Sequence, residues 1–457
     1  MTHDIFDSLS PADYRYWDAD VAQYLSENAY TRYKLAVELA LVKALAKRKI
    51  CSQKVVDEVA AACAQVTTAE VYEEEGRIKH DVRALVNCIR NRVSDEAKPY
   101  VHMTATSQDI IDSANAARWK DVTLNVVVPA LVELEKTLVK IAERESETIQ
   151  VGRTHGQHAV PITFGFAISS YISRLGQSIQ ALQALAPELR GKFAGAVGAY
   201  NASSLFFDDP ESFEADVLNE LGIQASEQSS QVAPAEPLVR LLCEITIATG
   251  IMANLADDMR HLQRTEIGEI GEEFGADQVG SSTMPQKRNP INFENAKSLW
   301  KAIVPRIVTA FMDQISEHQR DLTNSASART YGETVAYTVS AAKRLTRVMS
   351  KIKVDENNLR LNLNMQMGLV AAEPLYITLA ALGHPDAHEK VRNLTLQAQR
   401  ENKPLETIAL ADAEMQPYLK KMSDHQHNIL SNPSLYTGIA SKKAHAVAKN
   451  WKKNLGI

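Results

Sequence analysis

The chain has 457 residues, 45% of them hydrophobic and 23% charged, so it is globular and long enough for two or three domains. A net charge of −6 gives no sign of a nucleic-acid surface, and 19 Gly and 16 Pro are too few for a β-sandwich or a Gly-rich nucleotide fold. The first residues lack the cationic and apolar regions of a signal peptide, and no apolar run approaches the roughly 18–20 residues that span a membrane. We therefore expect a cytoplasmic protein with no membrane and no nucleic-acid partner.

The cysteines are few and widely separated. Cys51, Cys63, Cys88 and Cys243 form no CxxC pair. This spacing favours a reducing compartment, with the thiols buried as small apolar groups, and it argues against a zinc site. We therefore expect no metal.

Helical periodicity dominates the chain from end to end. Apolar residues recur at helical spacing in the segments 30–48, 123–145, 163–185, 236–263, 292–315 and 333–352. Pro129 lies in the first third of the second segment, where a kink is expected. We find no alternating run of five or more residues that would predict a strand, so the predicted fold class is all-α.

Several of these helices are apolar on more than one face, most clearly "LLCEITIATGIMANLA" at 241–256. Such a helix must be buried on nearly all sides, within a large monomer or against other subunits, and we favour an oligomer. Composition divides the chain into three parts. Shorter charged helices are expected in 1–105, the long helices in 106–353, and short charged helices again in 354–457.

Polar residues that suit catalysis cluster where helices are expected to begin. Two such clusters are "RIKHDVRALV", with His80 and Asp81, and "YVHMTATSQDIIDSA", with His102, Thr106, Ser107 and Asp109. Each residue also has a structural interpretation. Ser107 or Asp109 could cap the helix that follows, and His80 with Asp81 could be a solvated first turn.

The third cluster, "GRTHGQHAVPITFG", is harder to explain as structural. Arg153, Thr154, His155 and His158 fall within six residues, directly before a strongly apolar helix. A helix N-terminus offers free amide donors and partial positive charge, which suit an anionic ligand. This segment is therefore a candidate for anion binding and acid–base chemistry.

The fourth cluster is "GADQVGSSTMPQKRNP" at 275–290. Its small residues are typical of a mobile loop, which could carry the hydroxyl of Ser282 over a ligand. Lys287 and Arg288 add cations, and Pro290 is suited to the start of the next helix. The combination suits acid–base work on an anion. The chain has no GxSxG, Walker, GxGxxG or HExxH motif.

A second anion-binding set follows in "QRDLTNSASARTYGE". Arg320, Ser325 and Arg329 are spaced by five and four residues, so they could converge on one phosphate. The same spacing also fits a solvated helix face, and the two interpretations stay open on spacing alone.

Together these motifs resemble a known family. "GSSTMPQKRNP" resembles the signature of the fumarase/aspartase superfamily of lyases, and the other clusters fall in the expected order along essentially the whole chain. Within the superfamily the chain is most similar to the adenylosuccinate lyase family, in "GRTHGQHAVPITFG" with an imidazole after "RT", and in "SPADYRY" near the N-terminus. "MPQK" is shared with argininosuccinate lyase, which is the alternative.

The resemblance implies an architecture and a reaction. The fold would be three helical domains with a central bundle of five long helices, and four subunits would form a twenty-helix core. Each active site would draw on three subunits. The reaction would be β-elimination of fumarate from adenylosuccinate, giving AMP, and from the succinylated aminoimidazole carboxamide ribonucleotide SAICAR, giving AICAR. It would need no metal or organic cofactor.

The resemblance also assigns residues to roles. Ser282 would be the general base and His155 the general acid, with Lys287, Glu294 and His80 in supporting catalytic roles. The substrate would be bound by Arg15, Tyr16, Lys79, Asp81, Thr106, Ser107, Gln231, Asn289, Arg320, Ser325 and Arg329. Two other classes compete with an enzyme: a helical scaffold that has lost catalysis, and a helical binding module. The intact set of Ser282, Lys287, His155 and Glu294 weighs against the scaffold.

Overall fold

The computed structural model describes residues 8–273, 283–284, 286–366 and 368–457. Helices predominate in these residues, which confirms the predicted all-α class. The α-helices in chain order are α1 Pro11–Tyr14, α2 Ala19–Leu25, α3 Glu27–Lys47, α4 Gln53–Gln65, α5 Thr68–Ile78, α6 Asp81–Arg90, α7 Ser107–Val122, α8 Val128–Arg144, α9 Phe164–Leu185, α10 Pro210–Asn219, α11 Glu236–Leu262, α12 Ile291–Ile303, α13 Arg306–Met312, α14 Tyr331–Met349, α15 Glu356–Asn364, α16 Ala372–Ala381, α17 Ala387–Glu401, α18 Leu405–Ala411, α19 Gln416–Leu419, α20 Asp424–Ser431 and α21 Ala440–Leu455.

Short strands pair two by two within the described residues. The pairs are β1 Ile149–Thr154 with β2 Gln157–Thr163, antiparallel, β3 Arg190–Gly191 with β4 Gln224–Ala225, parallel, and β5 Ile270–Gly271 with β6 Lys353–Val354, antiparallel. The sequence-based expectation of no strand of five or more residues is therefore wrong for β1 and β2.

The chain divides into two compact units. The first unit comprises Met1–Leu131, Gln177–Gly250 and Ser298–Lys343, and the second comprises Val132–Gly176, Ile251–Lys297 and Arg344–Ile457. The helices with residues in both units are α8, α9, α11, α12 and α14. The three domain ranges expected from the sequence stay a prediction.

The first unit has its own hydrophobic core, in which α3 packs against α4 and α7. Ser26 caps the start of α3, where its Oγ accepts a hydrogen bond from the Ala29 backbone N–H at 3.2 Å. Along α3 the buried residues lie on more than one face, and Leu41 and Leu45 are fully buried. Helix α7, which packs against α3, begins at one of the polar clusters, and α6, which packs against α4 and α7, begins at another.

Two prolines explain where the long helices depart from the predicted segments. A π-helical turn, Thr123–Val127, separates α7 from α8 directly before Pro129. Proline has no N–H to donate to the preceding turn, so the irregularity takes the place of the expected kink. Pro305 ends α12 for the same reason, and the predicted helix 292–315 is observed as α12 and α13.

The second unit has a separate core built from the C-terminal helices. Leu375, Leu379, Leu394 and Leu405 are among its buried residues. A smaller cluster places Val151 of β1 against Leu363 and Val370, so the hairpin that carries the third polar cluster is packed at its base.

Helix α11 is long and apolar enough, by length and composition, to cross a membrane. However, 61% of its most apolar window is buried within the protein, as in the core helix of a soluble protein. By length and composition this helix departs from the expectation that no apolar run approaches such a span, and its burial favours a core role.

Candidate active site

The first two polar clusters meet where α6 and α7 begin. His80 caps α6, and its Nδ1 accepts a hydrogen bond from the Arg83 backbone N–H at 3.2 Å. Its other ring nitrogen, Nε2, lies 3.5 Å from Ser107 Oγ at the start of α7. Since the His80 side chain is half exposed, the imidazole can reach both Ser107 and a ligand.

The turn before α7 is anchored by a buried ion pair. Asp109 Oδ2 accepts a hydrogen bond from the Thr106 backbone N–H at 2.7 Å, as the cap interpretation expects. Its Oδ1 accepts from the ammonium of Lys192, and both side chains are fully buried. Lys192 Nζ also donates to Gly195 O at 3.1 Å. Asp109 therefore holds the turn that presents Thr106 and Ser107, and it is itself out of reach of a ligand.

Gln108 and Asp112, on the first turns of α7, form a cluster of polar side chains with Gln231 and Arg320. Arg320 donates to Gln231 Oε1 at 3.3 Å and, with the Gln108 amide turned so that its oxygen faces the guanidinium, to that oxygen at 2.6 Å. The Gln108 amide N–H donates to Asp112 Oδ1 at 2.9 Å, and Asp112 Oδ2 accepts from the Ala233 backbone N–H at 2.7 Å. Burial raises the pKa of the Asp112 carboxyl to about 7. Two of the predicted binding residues, Gln231 and Arg320, are thus in direct contact.

The remaining predicted binding residues of the first unit lie on several elements. Arg15 is exposed at the end of α1, and the Tyr16 ring packs edge-on against Tyr337 with their centroids 5.3 Å apart. Arg329 Nε donates to Ser325 O at 3.2 Å, so these two are joined through the backbone.

Lys79 and Asp81 flank His80. Lys79 ends α5 in the left-handed conformation, with φ of 60°, and Asp81 is the first residue of α6. His80 is therefore placed between two helix ends, which fixes the direction of its side chain toward Ser107.

In the second unit, the third cluster forms a β-hairpin. Thr154 pairs with Gln157, which leaves His155 and Gly156 as a two-residue turn. Both turn residues have positive φ, 55° and 73°, as a type I′ turn requires. His155 is therefore exposed at the tip of the hairpin, where its imidazole is accessible.

A buried carboxylate holds this hairpin below its tip. Glu269 is fully buried and accepts from Arg153 Nη1 at 3.0 Å, from Gln150 Nε2 at 2.8 Å and from Asn362 Nδ2 at 2.8 Å. Arg153, expected to bind an anionic ligand, is thus engaged by the protein itself. Burial lowers the pKa of His158, and the charge of Arg153 adds to this effect.

The fourth cluster is described in part. Ser282 lies outside the described residues, so nothing is said of its position. The helix after the cluster, α12, begins at Ile291, directly after Pro290. The Glu272 carboxylate accepts from the backbone N–H groups of Asn292 and Phe293 at 3.0 and 3.1 Å, and this caps α12.

An open cleft of about 1190 Å³ lies beside this cap. Three predicted site residues line it: Lys287, Asn289 and Glu294. Arg260 and Arg264 add positive charge to its wall. Such a cleft can hold an anion beside a carboxylate. Within the described residues of a single chain, His155 does not line the cleft and does not contact Glu294.

The sequence was compared with known families and proteins. The model of a family described as Lyase matches residues 4–304, and the model described as Adenylosuccinate lyase C-terminal matches residues 316–427. The adenylosuccinate lyase of Pyrococcus horikoshii is 35% identical over 90% of this chain and 92% of its own. That of Archaeoglobus fulgidus is 33% identical over 96% and 98%.

A solved structure shares the fold. The 3-carboxy-cis,cis-muconate lactonizing enzyme from Pseudomonas putida superposes with a TM-score of 0.84 at 26% identity, covering 96% of this chain and 98% of that one.

Proposed function

The chain belongs to the adenylosuccinate lyase family, and from that premise we propose that it releases fumarate from adenylosuccinate, leaving AMP, and from SAICAR, leaving AICAR. It acts as a carbon–nitrogen lyase in purine nucleotide biosynthesis, in the cytoplasm, with no metal or organic cofactor. One observation carries the proposal: the two family matches, over 4–304 and 316–427, include all four polar clusters and the Arg320–Arg329 segment.

The elimination needs a base and an acid. Ser282 removes the proton next to a carboxylate. An alcohol is a weak base, so nearby cations such as Lys287 must favour the alkoxide. His155 protonates the departing nitrogen, and Glu294 pairs with that imidazole. The exposed tip position of His155 and the shared cleft of Lys287 and Glu294 support these roles.

The succinyl group is held at the starts of α6 and α7. Thr106 and Ser107 bind one carboxylate and His80 orients it, and the 3.5 Å approach of His80 to Ser107 supports this pairing. Asn289 contacts the succinyl part, and its place in the cleft with Lys287 supports that assignment.

The nucleotide end is bound by a different set. Arg320 is held by the amide oxygens of Gln108 and Gln231, which orient the guanidinium without neutralising its charge. The phosphate is bound by Arg15, Tyr16, Ser325 and Arg329, with Lys79 and Asp81 beside His80. A phosphate site favours a succinyl nucleotide over argininosuccinate, which has no phosphate.

The active enzyme is a homotetramer with sites shared between subunits. Large apolar side chains on and after α13 support an interface there, since Val308, Phe311, Met312 and Ile315 are 51–74% exposed. Sharing also accounts for the separation of His155 from Glu294 within one chain. Sedimentation should give the mass of four 50.5 kDa chains, and a monomer would contradict the shared site.

One assay tests the reaction. The purified protein is incubated separately with adenylosuccinate and with argininosuccinate, and fumarate is measured over time. We expect fumarate from adenylosuccinate alone. Release from argininosuccinate alone would establish the alternative function, and no release from either would favour a scaffold or binding module. A Ser282→Ala variant tests the base, since near-native turnover in that variant would remove Ser282 from the role.

A further inference from the structure

At Gly198 the backbone of another segment lies closer than any side chain would allow. A β-carbon at this position would lie 1.9 Å from the carbonyl oxygen of Ser229 and 2.8 Å from that of Ser230. Both distances are well inside the roughly 3.5–4.0 Å at which non-bonded atoms pack. Gly198 also has a φ of 79°, which favours glycine by itself. Two separate constraints therefore act on this residue: its left-handed backbone and the close approach of a second segment.

The loop that carries this glycine, residues 195–200, is held at both ends. At one end the Gly195 backbone N–H donates to Asp109 Oδ1 at 3.3 Å. At the other end the Tyr200 hydroxyl donates to Glu214 Oε2 at 2.5 Å. Because the loop is anchored at both ends, a bulkier residue in it would displace the segment that packs against it.

That segment continues into one of the proposed binding residues. The Gln231 backbone N–H donates to Gln319 O at 3.3 Å, and Gln231 Oε1 accepts from Arg320 Nη1 at 3.3 Å. The segment thus contacts the 195–200 loop through Ser229 and meets Arg320 through Gln231. A hydrogen bond of 3.3 Å is already long, so a small shift of the backbone would break it.

We propose that Gly198 is a positioning residue for the substrate site. Because it has no side chain, the backbone at Ser229 and Ser230 can lie against the 195–200 loop, and this places the Gln231 amide against Arg320. The inference rests on the proposed function, in which Gln231 and Arg320 bind the substrate. Gly198 acts through Gln231, so a side chain at position 198 should weaken substrate binding more than it slows the chemical step.

The test compares two glycines of the same loop. Gly195 has a φ of 81°, close to that of Gly198, but a β-carbon there would meet no atom of the described residues within 4 Å. Alanine therefore strains the backbone at both positions, and only Gly198→Ala also displaces a neighbouring segment.

Fumarate release from adenylosuccinate is measured in both variants. We expect Gly198→Ala to raise KM about 10-fold, as for one lost hydrogen bond to the ligand, with kcat nearly unchanged. Gly195→Ala should stay near wild type. Equal rises of KM in the two variants would assign the effect to backbone strain and overturn the proposal, and so would a loss of kcat at an unchanged KM.

A double-mutant cycle tests whether the effect passes through Gln231. If it does, adding Gly198→Ala to Gln231→Ala should raise KM by less than about 2-fold, because the contact is already lost. A further rise of about 10-fold would show that Gly198 acts elsewhere, and the proposal would fall.

Gln231→Asn gives a test that does not depend on whether Gly198→Ala folds. It withdraws the amide by one methylene and adds no atom to the protein. We expect it to raise KM about as much as Gly198→Ala does. A wild-type KM in Gln231→Asn would show that substrate binding does not depend on the position of this amide, which overturns the proposal.

Crystal structures of the wild type and Gly198→Ala separate this inference from the proposed function. If the wild type releases no fumarate, the reaction is wrong, and the structures then test Gly198 alone. Separation of Gln231 Oε1 from Arg320 in the variant would support the positioning role, and an unchanged contact would overturn it. If the wild type releases fumarate and all the variants keep its KM, the reaction stands and the positioning role is wrong.

Discussion

The turn before α7 and the β1–β2 hairpin are both held in place by a buried ion pair, but the two pairs differ in how far they are exposed to water. Each is held by one fully buried carboxylate, Asp109 in the first unit and Glu269 in the second. The partner of Asp109 is Lys192, which is also fully buried, whereas the partner of Glu269 is Arg153, whose side chain is 17% exposed.

The two anchors also differ in what they present. The Asp109 turn offers half-buried hydroxyls at Thr106 and Ser107, while the hairpin offers an exposed imidazole at His155. A group that binds a fixed part of a ligand benefits from a rigid, enclosed position. An acid that must reach a ligand held elsewhere benefits from an exposed one. On the proposed roles, the comparison separates a region that binds the ligand from a region that supplies a reacting group.

The largest expected effect is on turnover, and it is expected at His155 on the exposed tip of the β1–β2 hairpin. His155→Ala should lower kcat by about 10²–10⁴, the usual range for a lost acid–base group, with little change in the unfolding temperature. Steady-state kinetics with adenylosuccinate measures the loss. Gln157→Ala, the exposed first residue of β2 beside that turn, is the control and should stay near wild type. Equal losses in the two variants would mean that the turn and not the imidazole matters.

The second largest expected effect is on the stability of the fold, at the buried Asp109–Lys192 pair before α7. Lys192→Met leaves Asp109 charged and fully buried, so it should cost about 3–5 kcal/mol in the free energy of unfolding. Urea unfolding measures the change. The double variant Asp109→Asn with Lys192→Met should recover part of it, because no charge is then left buried. A double variant as unstable as the single one would show that the charge is not the cause.

A smaller loss in the free energy of unfolding is expected at the hairpin, where the guanidinium of Arg153 is partly exposed. In Arg153→Met, Glu269 keeps its bonds from Gln150 and Asn362, and water can enter where the guanidinium was. We expect about 1–3 kcal/mol, less than for Lys192→Met. The same urea measurement on both variants ranks them. The reverse order would contradict the idea that exposure separates the two anchors.

The smallest effect depends on pH. Burial tends to lower the pKa of His102, but the carboxylate of Glu38, 2.7 Å from its Nδ1, outweighs burial, so the pKa is raised above 6.5. Asp109 adds to the rise and Arg83 opposes it. The protonated imidazole is bound more tightly in the folded state, so this contribution is fully present below about 6.5 and is lost as the pH rises through the folded pKa.

Thermal unfolding between pH 6 and pH 9 measures this dependence. His102→Gln should flatten the profile by a modest amount, because glutamine cannot titrate. A wild-type profile that rises across this range would contradict the assignment to His102, and so would an unaltered profile in the variant.

The helices were predictable because their apolar spacing is a local property. The six periodic segments match observed helices closely, apart from the break at Pro305 and the π-helical turn before Pro129. The hairpin was missed because Gly152 and Pro161 interrupt its alternation. The signal that could have found it is "HG" between the strands, since two residues with positive φ make a tight turn.

Candidate residues of the site such as Ser107, Lys287 and Glu294 could be named from motifs in the sequence, and their roles stay predictions. The buried ion pairs that hold the turn before α7 and the hairpin in place could not be predicted from the sequence. Asp109 and Lys192 are 83 residues apart, and Arg153 and Glu269 are 116 apart, so neither pair has a local pattern.

The left-handed backbone at His155 has a further consequence. A side chain with a β-carbon is strained by about 1 kcal/mol at a φ of 55°, and glycine would relieve that strain. Directed evolution for heat tolerance alone would thus select glycine at this position and discard the imidazole. Any screen of this protein for thermostability needs a parallel selection for activity, or it will enrich more stable variants that lack the proposed proton donor.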